Sequence, residues 1–567
     1  MRITKRWLRI LLALAICAFA GLLAAQERNL YWGDTHVHTS YSSDAYNFGT
    51  VMTDPDTAYR FAKGLPVIHE GFGSRVRLDR PLDFLVVADH SPVGRGAPVD
   101  GDRNSRDFQT AAWSLYVDAA EQNNDPGTFT ALIGWEWTLT PGGKNLHRVV
   151  FTPSDGETAK RFLPLSARDG PRPEDLWSWL EETSDRLGID FVAIPHNSNL
   201  SQGLMFDVVD SDDRPISTEY ARTRMRWEPM VEVLQMKGTS ETHPFLSPED
   251  EFANFEQFRF RLLGGRTTPD AANFARTALL RGLKFEEELG VNPYKFGLQG
   301  ATDTHTGLSD ADEDLFAGRS PGQAGPAGGL VPAPPVNGRV REDAGIGWDS
   351  AAQGITGAWS TANTREDLTA AFKRKEVYAT SGPRIQLRMF GGFEFAAEDA
   401  NARDIAAVGY GGGVPMGGDL AQAPSGTSVS LLIHAVKDPV GANLDRVQVI
   451  KGWLDDDGET HERVYDAAWA GQRTAANGKV PAIGSTVDVA RATYENSIGS
   501  AELSTVWMDP DFDPEERAFY YIRVLEIPTP RYSTYDAVAL GLDPNQASDR
   551  PVAIQERAFS SPIWYTP

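Results

Sequence analysis

Cysteine is all but absent: Cys17 is the single one in 567 residues. It sits inside the apolar run Ile10 to Ala20, which follows the basic start Arg2, Lys5, Arg6 and Arg9. The small residues Ala24 and Ala25 then offer cleavage before Gln26, so residues 1–25 read as a secretory signal peptide. Ile16 precedes Cys17 where a lipoprotein signal wants a small residue, so the cysteine leaves with the signal. A mature chain without a thiol has no disulfide, no cysteine nucleophile and no thiolate metal ligand. Positive charge is also in deficit, with 54 Lys and Arg against 78 Asp and Glu and a formal net charge of -24. That balance argues against nucleic acid or an anionic membrane surface as the main partner. Beyond the N-terminus no apolar run is long enough to span a bilayer. The expected product is periplasmic or secreted, with no stable membrane insertion after signal cleavage, and it shows no internal repeat.

What is present is ample apolar material, 41% of residues, enough for a large core and two domains. From Asp34 to about Gly382, short apolar runs alternate with helical patterns. Phe84 to Ala88 ends in Asp89-His90, Ala131 to Trp135 ends in Glu136, and Phe191 to Pro195 ends in His196-Asn197. Val149 to Phe151 follows His147-Arg148, Met230 to Leu234 leads into Lys237, and Lys295 to Leu298 leads into Asp303-Thr304-His305. Pro173 to Leu187 and Pro269 to Leu289 are helix candidates, as is Thr364 to Lys375. Strands alternating with helices imply an α/β fold with a mainly parallel sheet. Polar residues gathered at strand ends favour a barrel, whose catalytic side chains collect on that rim. Gly318 to Gly338 reads as a Gly/Pro-rich surface loop. After about Ile385 the texture turns to strands joined by Asp/Gly turns, at Val429–His434, Arg446–Ile450, Glu462–Tyr465 and Phe519–Val524. The expected division is a barrel domain over 26–384 and a β-rich domain over 385–567.

The chemistry gathers around Gly33-Asp34-Thr35-His36-Val37-His38-Thr39. Imidazoles two apart on an extended segment share a face and can reach one metal ion or two adjacent ones. Further candidate ligands stand near the other strands: Asp44, His90, Glu136, His147, His196, Asp303 and His305. Singly each has an ordinary structural use; Asp44 can cap a turn. Glu136 between Trp135 and Trp137 is harder to leave unpaired, because a carboxylate among bulky apolar neighbours wants a cation or donor. Six imidazoles and three carboxylates suit two or three divalent ions, zinc or manganese first and iron also, since all donors are N or O. Such ions would leave a local positive excess able to hold a small anion despite the acidic surface. Lys237 is placed to hold a substrate oxygen and His243 to protonate a leaving group, with Arg384, Arg148 and Asn197 as further donors to an anion. His69-Glu70, His434 and His461 read as ordinary loop or turn residues.

On these residues the chain resembles the PHP superfamily, named for its polymerase and histidinol-phosphatase members. The matching pieces run in that family's order from Asp34 to His305: His36-Val37-His38, Asp44, Ala88-Asp89-His90, Glu136, His147, His196 and Asp303-Thr304-His305. The family often has His where Asp44 stands. The resemblance implies a distorted seven-stranded (β/α) barrel, a trinuclear metal site and, for many members, hydrolysis of phosphate esters. More narrowly the chain looks like a bacterial exported branch known mainly as a domain of unknown function. Gly134-Trp135-Glu136-Trp137-Thr138, Ile194-Pro195-His196-Asn197-Ser198-Asn199, Gly300 to Gly307, Tyr378 to Gly382 and the ending Ser561 to Tyr565 carry that likeness.

The leading expectation is therefore an exported metal-dependent phosphoesterase acting on a phosphomonoester or small phosphodiester. An amidase or lactonase on the same metal site is the alternative, because fold alone does not choose the chemistry. A non-catalytic metal-stabilised binding protein is the alternative from another class.

Overall fold

The computed structural model describes residues 27–333, 345–352, 354–476 and 479–567. The signal-like segment and the end of the Gly/Pro-rich loop lie outside them. The chain is mixed α/β and is organised by one large sheet. Its first half contributes β1 (Asn29–Val37), β2 (Phe84–Val87), β3 (Thr130–Trp137), β4 (Arg148–Thr152) and β5 (Val192–Pro195), hydrogen-bonded side by side in that order. Two more strands, β6 (Met230–Gln235) and β7 (Gly297–Gly300), pair with each other in a separate small sheet. On the other edge of β1 follow β8 (Ile355–Ser360) and β9 (Val377–Thr380).

The sheet is less parallel than the alternating pattern implies. β1, β2 and β3 are parallel neighbours, as are β6 and β7. β4 runs antiparallel to both β3 and β5. The connection from β3 to β4 is only residues 138–147, too short for the crossover that a parallel pair needs. The expected closed seven-stranded barrel is not formed either. The edge of β1 that a closing strand would use is already taken by β8, from Asn29 opposite Ser360 to Gly33 opposite Thr356. Only the end of β1 stays free there. The segment after β7 reaches it through Asp303 N–H to His36 O (2.9 Å) and His38 N–H to Thr304 O (2.9 Å).

Helices cover the outer faces where apolar side chains alternate outward. Pro173–Leu187 is a helix with its expected ends, Leu176, Trp177 and Leu180 buried, and Gly188 closing it in the left-handed region at φ 68°. The helix expected over Pro269 to Leu289 begins later, at Ala275, after a short 3-10 turn at Ala271–Asn273. Arg365–Lys373 is capped by Thr364, whose side chain accepts from Asp367 N–H. Trp135 of β3 packs edge-on against Trp113, Trp179 and Phe191. This aromatic layer anchors β3 and, through the two-residue alternation of a strand, turns Glu136 to the opposite side.

Beyond residue 385 the chain is β-rich. β10 (Gln386–Gly392), β11 (Ser430–Val436), β12 (Leu444–Leu454), β13 (Thr460–Trp469) and β14 (Glu502–Met508) lead to β15 (Arg517–Glu526), β16 (Arg557–Ser560) and β17 (Ile563–Thr566). β16 pairs with β9, so the large sheet continues into β15, β17 and β12. Ile450, Phe519, Tyr521, Phe559 and Trp564 share a core with Leu279, Leu283 and Phe296 from earlier in the chain. His434 pairs with Glu502 and His461 with Asp455, both in partly or largely solvated positions.

The two stretches are also joined by buried charge. Asp250 accepts from Arg523 (2.6 and 3.0 Å) and from Arg276 (2.8 Å). Burial pushes its carboxyl upward, but Arg523 and Arg276 outweigh that and hold it well below the usual carboxylate range. A depressed folded-state pKa contributes stability above the unfolded pKa of about 4, and that contribution is lost as pH falls below it. Asp250→Asn should lower the unfolding free energy at pH 7 by about 3–5 kcal/mol, since it leaves the buried Arg523 without its carboxylate partner and Arg276 with Glu241 as its remaining buried one. The deficit relative to wild type should shrink below about pH 4. Urea unfolding at both pH values checks this; an unshifted midpoint at pH 7 would show the cluster to be energetically idle.

Candidate metal centre

Nine side chains were expected to converge, and the backbone brings them together: eight line one cavity, and His36 lies fully buried against Glu136 and Asp303. His36 lies in β1 and His38 just past its end, on the same face. Asp44 stands in the short helix Ser43–Asn47, whose N-cap residue is Ser42. His90 follows β2 and bridges, in parallel register, to Glu136. Glu136 lies inside β3, which continues to Trp137, and not beyond its end. His147 immediately precedes β4, His196 follows β5, and Asp303 and His305 follow β7. All are buried except His90 and Asp44, which are partly exposed toward the cavity mouth.

Glu136 is the hub. Its Oε2 lies 3.2 Å from His38 Nε2, 3.2 Å from His90 Nδ1 and 3.4 Å from His36 Nε2. Its Oε1 lies 2.7 Å from His147 Nδ1 and 3.5 Å from His196 Nε2. Asp303 Oδ1 faces His38 Nε2 and His36 Nε2 at 3.3 and 3.5 Å. At the mouth, Asp44 Oδ2 lies 2.7 Å from His305 Nε2 and 2.9 Å from His90 Nε2. Four overlapping groups have donor atoms close enough to share a cation: His38, His90 and His305; His36, His38 and Glu136; His36, His196 and Glu232; and Glu136, His147 and His196.

The donor chemistry fits divalent ions. His36 Nε2 and His38 Nε2 face each other at 3.1 Å, an arrangement that two lone pairs tolerate only around a proton or a cation. The far nitrogens are held by acceptors: His36 Nδ1 donates to Glu232 Oε2 (3.1 Å) and His305 Nδ1 to the Asp303 carbonyl (2.9 Å). His38 Nδ1 meets Ser42 Oγ (3.2 Å), whose hydroxyl in turn donates to Asp44 Oδ1 (2.7 Å). Such partners fix the tautomer that leaves the inward nitrogen free to ligate. Burial pushes His147 and His305 down to about 4, so both are neutral at pH 7, the form that binds metal. Burial raises the cost of charge on Glu136, yet His90, His147 and His196 hold its carboxyl well below the usual range.

Supporting residues escaped the sequence reading. Asp34 is fully buried and accepts from His36 N–H (2.9 Å), Thr302 N–H (3.1 Å) and Ser309 Oγ (2.7 Å), stitching β1 to the segment that carries Asp303. Asp89 does the same for the turn after His38, accepting from Thr39 Oγ1 at 2.6 Å. Glu232 sits mid-strand in β6, where Met230-Val231-Glu232-Val233 offered a signal: a carboxylate in an otherwise apolar run. Asp303 and Asn197 both take positive φ, 53° and 51°, and Asn197 Nδ2 donates to Asp303 Oδ2 (3.2 Å). Non-glycine residues in that region store strain and cluster at functional sites.

The residues expected to handle substrate divide. Lys237 is buried in the cavity and pairs with Asp303 Oδ2, to which Gln235 also donates at 2.6 Å. His243 lies elsewhere, in a neighbouring cavity of about 220 Å³ with Gln257, Phe258 and Phe274. Arg384 does not line the cavity of the candidate centre; its guanidinium donates to the Arg80 and Pro81 carbonyls. Arg148 is spent on Glu228 at 2.9 Å. His243 and Arg384 share a cause of displacement, since a residue's distance from a strand end says nothing about which loop path it follows; Arg148 is the first residue of β4. Arg319, from the Gly/Pro-rich stretch, does reach the cavity, which has a volume of about 540 Å³ and an apolar side at Phe48, Leu139 and Leu263.

A family model described as "Protein of unknown function (DUF3604)" matches residues 25–97 and 96–567, and the chain belongs to that family. No curated protein matches it. Among solved structures, it is similar to a two-domain protein from Bacteroides vulgatus ATCC 8482 described as containing a predicted PHP-like metal-dependent phosphoesterase. That likeness is 10% in identity with a TM-score of 0.31, over 88% of this chain and 92% of the other. Among the described residues no helix is long and apolar enough to cross a membrane.

Replacing Glu232 by Gln should weaken binding of manganese or zinc by about 10- to 100-fold without unfolding the chain, because it releases the His36 ring. Competition against a chromophoric chelator measures this; an unchanged affinity would remove Glu232 from the site.

Proposed function

We propose that the protein is a metal-dependent hydrolase of phosphate esters, of the PHP type. The observation that carries the proposal is the sharing of one buried carboxylate, Glu136, among overlapping imidazole groups at the floor of an open cavity. A purely structural site closes its coordination sphere and has no use for so many donors beside 540 Å³ of accessible space. On this reading His36, His38, Glu136 and Asp303 hold one ion. Glu136, His147 and His196 hold a second, and Asp44, His90 and His305 a third at the mouth. When bound, divalent ions there supply an electrophilic field for a phosphoryl group and make water a better nucleophile.

The protein's own residues supply the rest. Four carboxylates, Asp44, Glu136, Glu232 and Asp303, stand against the cations Lys237 and Arg319 in and around the cavity. Divalent ions more than cancel that deficit, and the centre then attracts an anion although the protein as a whole is acidic. Lys237 and Gln235 hold one oxygen of Asp303 so that the other stays turned to His36 and His38. Asn197, Thr138 and Thr140 offer neutral donors along the wall. Residues 26–384 carry this chemistry, and the β-rich remainder buttresses it. Export through the N-terminal signal would place the enzyme where organic phosphate esters are scavenged.

Purified protein loaded with manganese or zinc should carry two or three ions per chain and release phosphate from members of a broad ester panel. Chelation should abolish release. Stoichiometric metal with no phosphate release across the panel would overturn the phosphoesterase reading in favour of an amidase, a lactonase or a binding protein.

A further inference from the structure

Buried arginines in this chain are almost all spent. Arg148 meets Glu228, Arg276 meets Glu241 and Asp250, Arg446 meets Asp445 and Asp466, and Arg531 meets Glu256. Arg319 differs. It is only 7% exposed, yet among the described residues its guanidinium makes no hydrogen bond and no ion pair, and its Nε is a buried donor without a partner. It lines the metal cavity beside Lys237, Asp303 and His305. The charges acting on it are Asp303 and Asp44, both of which the site engages elsewhere.

Its placement is built in. The Arg319 carbonyl accepts from His305 N–H at 3.1 Å, tying the loop to the metal-binding segment. Gly318 turns the chain just before it at φ +98°, where an added Cβ would collide with the Gln323 carbonyl. A guanidinium held dry and unpaired is costly unless an anion completes it. Its planar fork matches two oxygens of a tetrahedral oxyanion.

We propose that Arg319 is the anion clamp of this cavity, gripping non-bridging oxygens of a terminal phosphate, so that the preferred substrate is a phosphomonoester dianion and not a diester. The inference rests on the phosphoesterase reading and deepens it. A monoester presents three non-bridging oxygens and a diester two. Ions at the floor engage the oxygens nearest them, and Lys237 is committed to Asp303, so the oxygens turned away from the floor fall to Arg319.

The test is calorimetric titration of inorganic phosphate, sulfate and dimethyl phosphate into the metal-loaded full-length protein, with metal content measured in parallel. Arg319→Ala should weaken phosphate by about 10- to 100-fold while metal content and thermal midpoint stay unchanged. Arg319→Lys should recover only a small part, because an ammonium cannot bind bidentately. Dimethyl phosphate, a monoanion, should bind wild type weakly and respond little to either substitution, whereas sulfate, a tetrahedral dianion, should lose affinity in Arg319→Ala as phosphate does. Unchanged phosphate affinity in Arg319→Ala, with ions bound, would overturn the clamp. Dimethyl phosphate binding wild type as tightly as phosphate would overturn the dianion assignment. A wild-type protein that takes up no metal would overturn the metal-dependent reading itself, and is told apart by the metal analysis.

Discussion

A carboxylate buried among five imidazole rings is the constraint around which this protein is arranged. Glu136 is 1% exposed, and both of its oxygens face histidine nitrogens drawn from β1 and from the ends of β2, β4 and β5. Removing such a group from water is affordable only where cations or donors surround it. The alternation of β3 places it: Trp135 and Trp137 turn outward under the helices, and the residue between them has no direction but inward. The same aromatic layer that stabilises the fold therefore also aims the hub of the site.

Around that hub the buried acids divide by task. Glu136, Asp303 and Asp44 offer oxygens to the cavity. Asp34, Asp89 and Glu232 instead accept hydrogen bonds that fix the segments and ring orientations of their neighbours. With divalent ions bound as proposed, this arrangement would give an acidic protein a local preference for anions, because salt screens the long-range field of the surface far more than that of a buried centre. Lys237 and Arg319 complete the picture: Lys237 is committed to Asp303, and Arg319 is held without an acceptor.

Much of the local structure was legible because its signals are short-ranged. The helix Pro173–Leu187 declared itself by a proline at its start, a glycine after its end and apolar residues at helical spacing. The His-x-His and Asp-x-His pairs, and the carboxylate between two tryptophans, pointed to ligands one strand at a time. Errors came where the outcome depended on partners distant in sequence. The barrel failed to close because β8 occupies the edge of β1, and nothing near Ile355 in sequence announces that pairing. Arg384 and His243 looked like rim residues by proximity to strands, yet their loops carry them to other surroundings. Glu232 and Arg319 were passed over for the opposite reason: one looked like an interruption of an apolar strand, the other like part of a bland loop.

The sequence by itself determined the donor inventory: N and O side chains only, set in recurring pairs beside strands, in a chain whose one cysteine, Cys17, precedes them all. It also determined the sign of the protein's charge and the β-rich texture beyond residue 385. Only the tertiary structure decided that β3 and β4 are antiparallel, that the sheet stays open, and that a guanidinium sixteen residues beyond Asp303 returns to the same cavity. The physical reason is one of range. Ligand type and strand alternation are properties of a few adjacent residues. Edge pairing and loop return are settled by competition among segments hundreds of residues apart for the same hydrogen-bonding edge and the same buried volume.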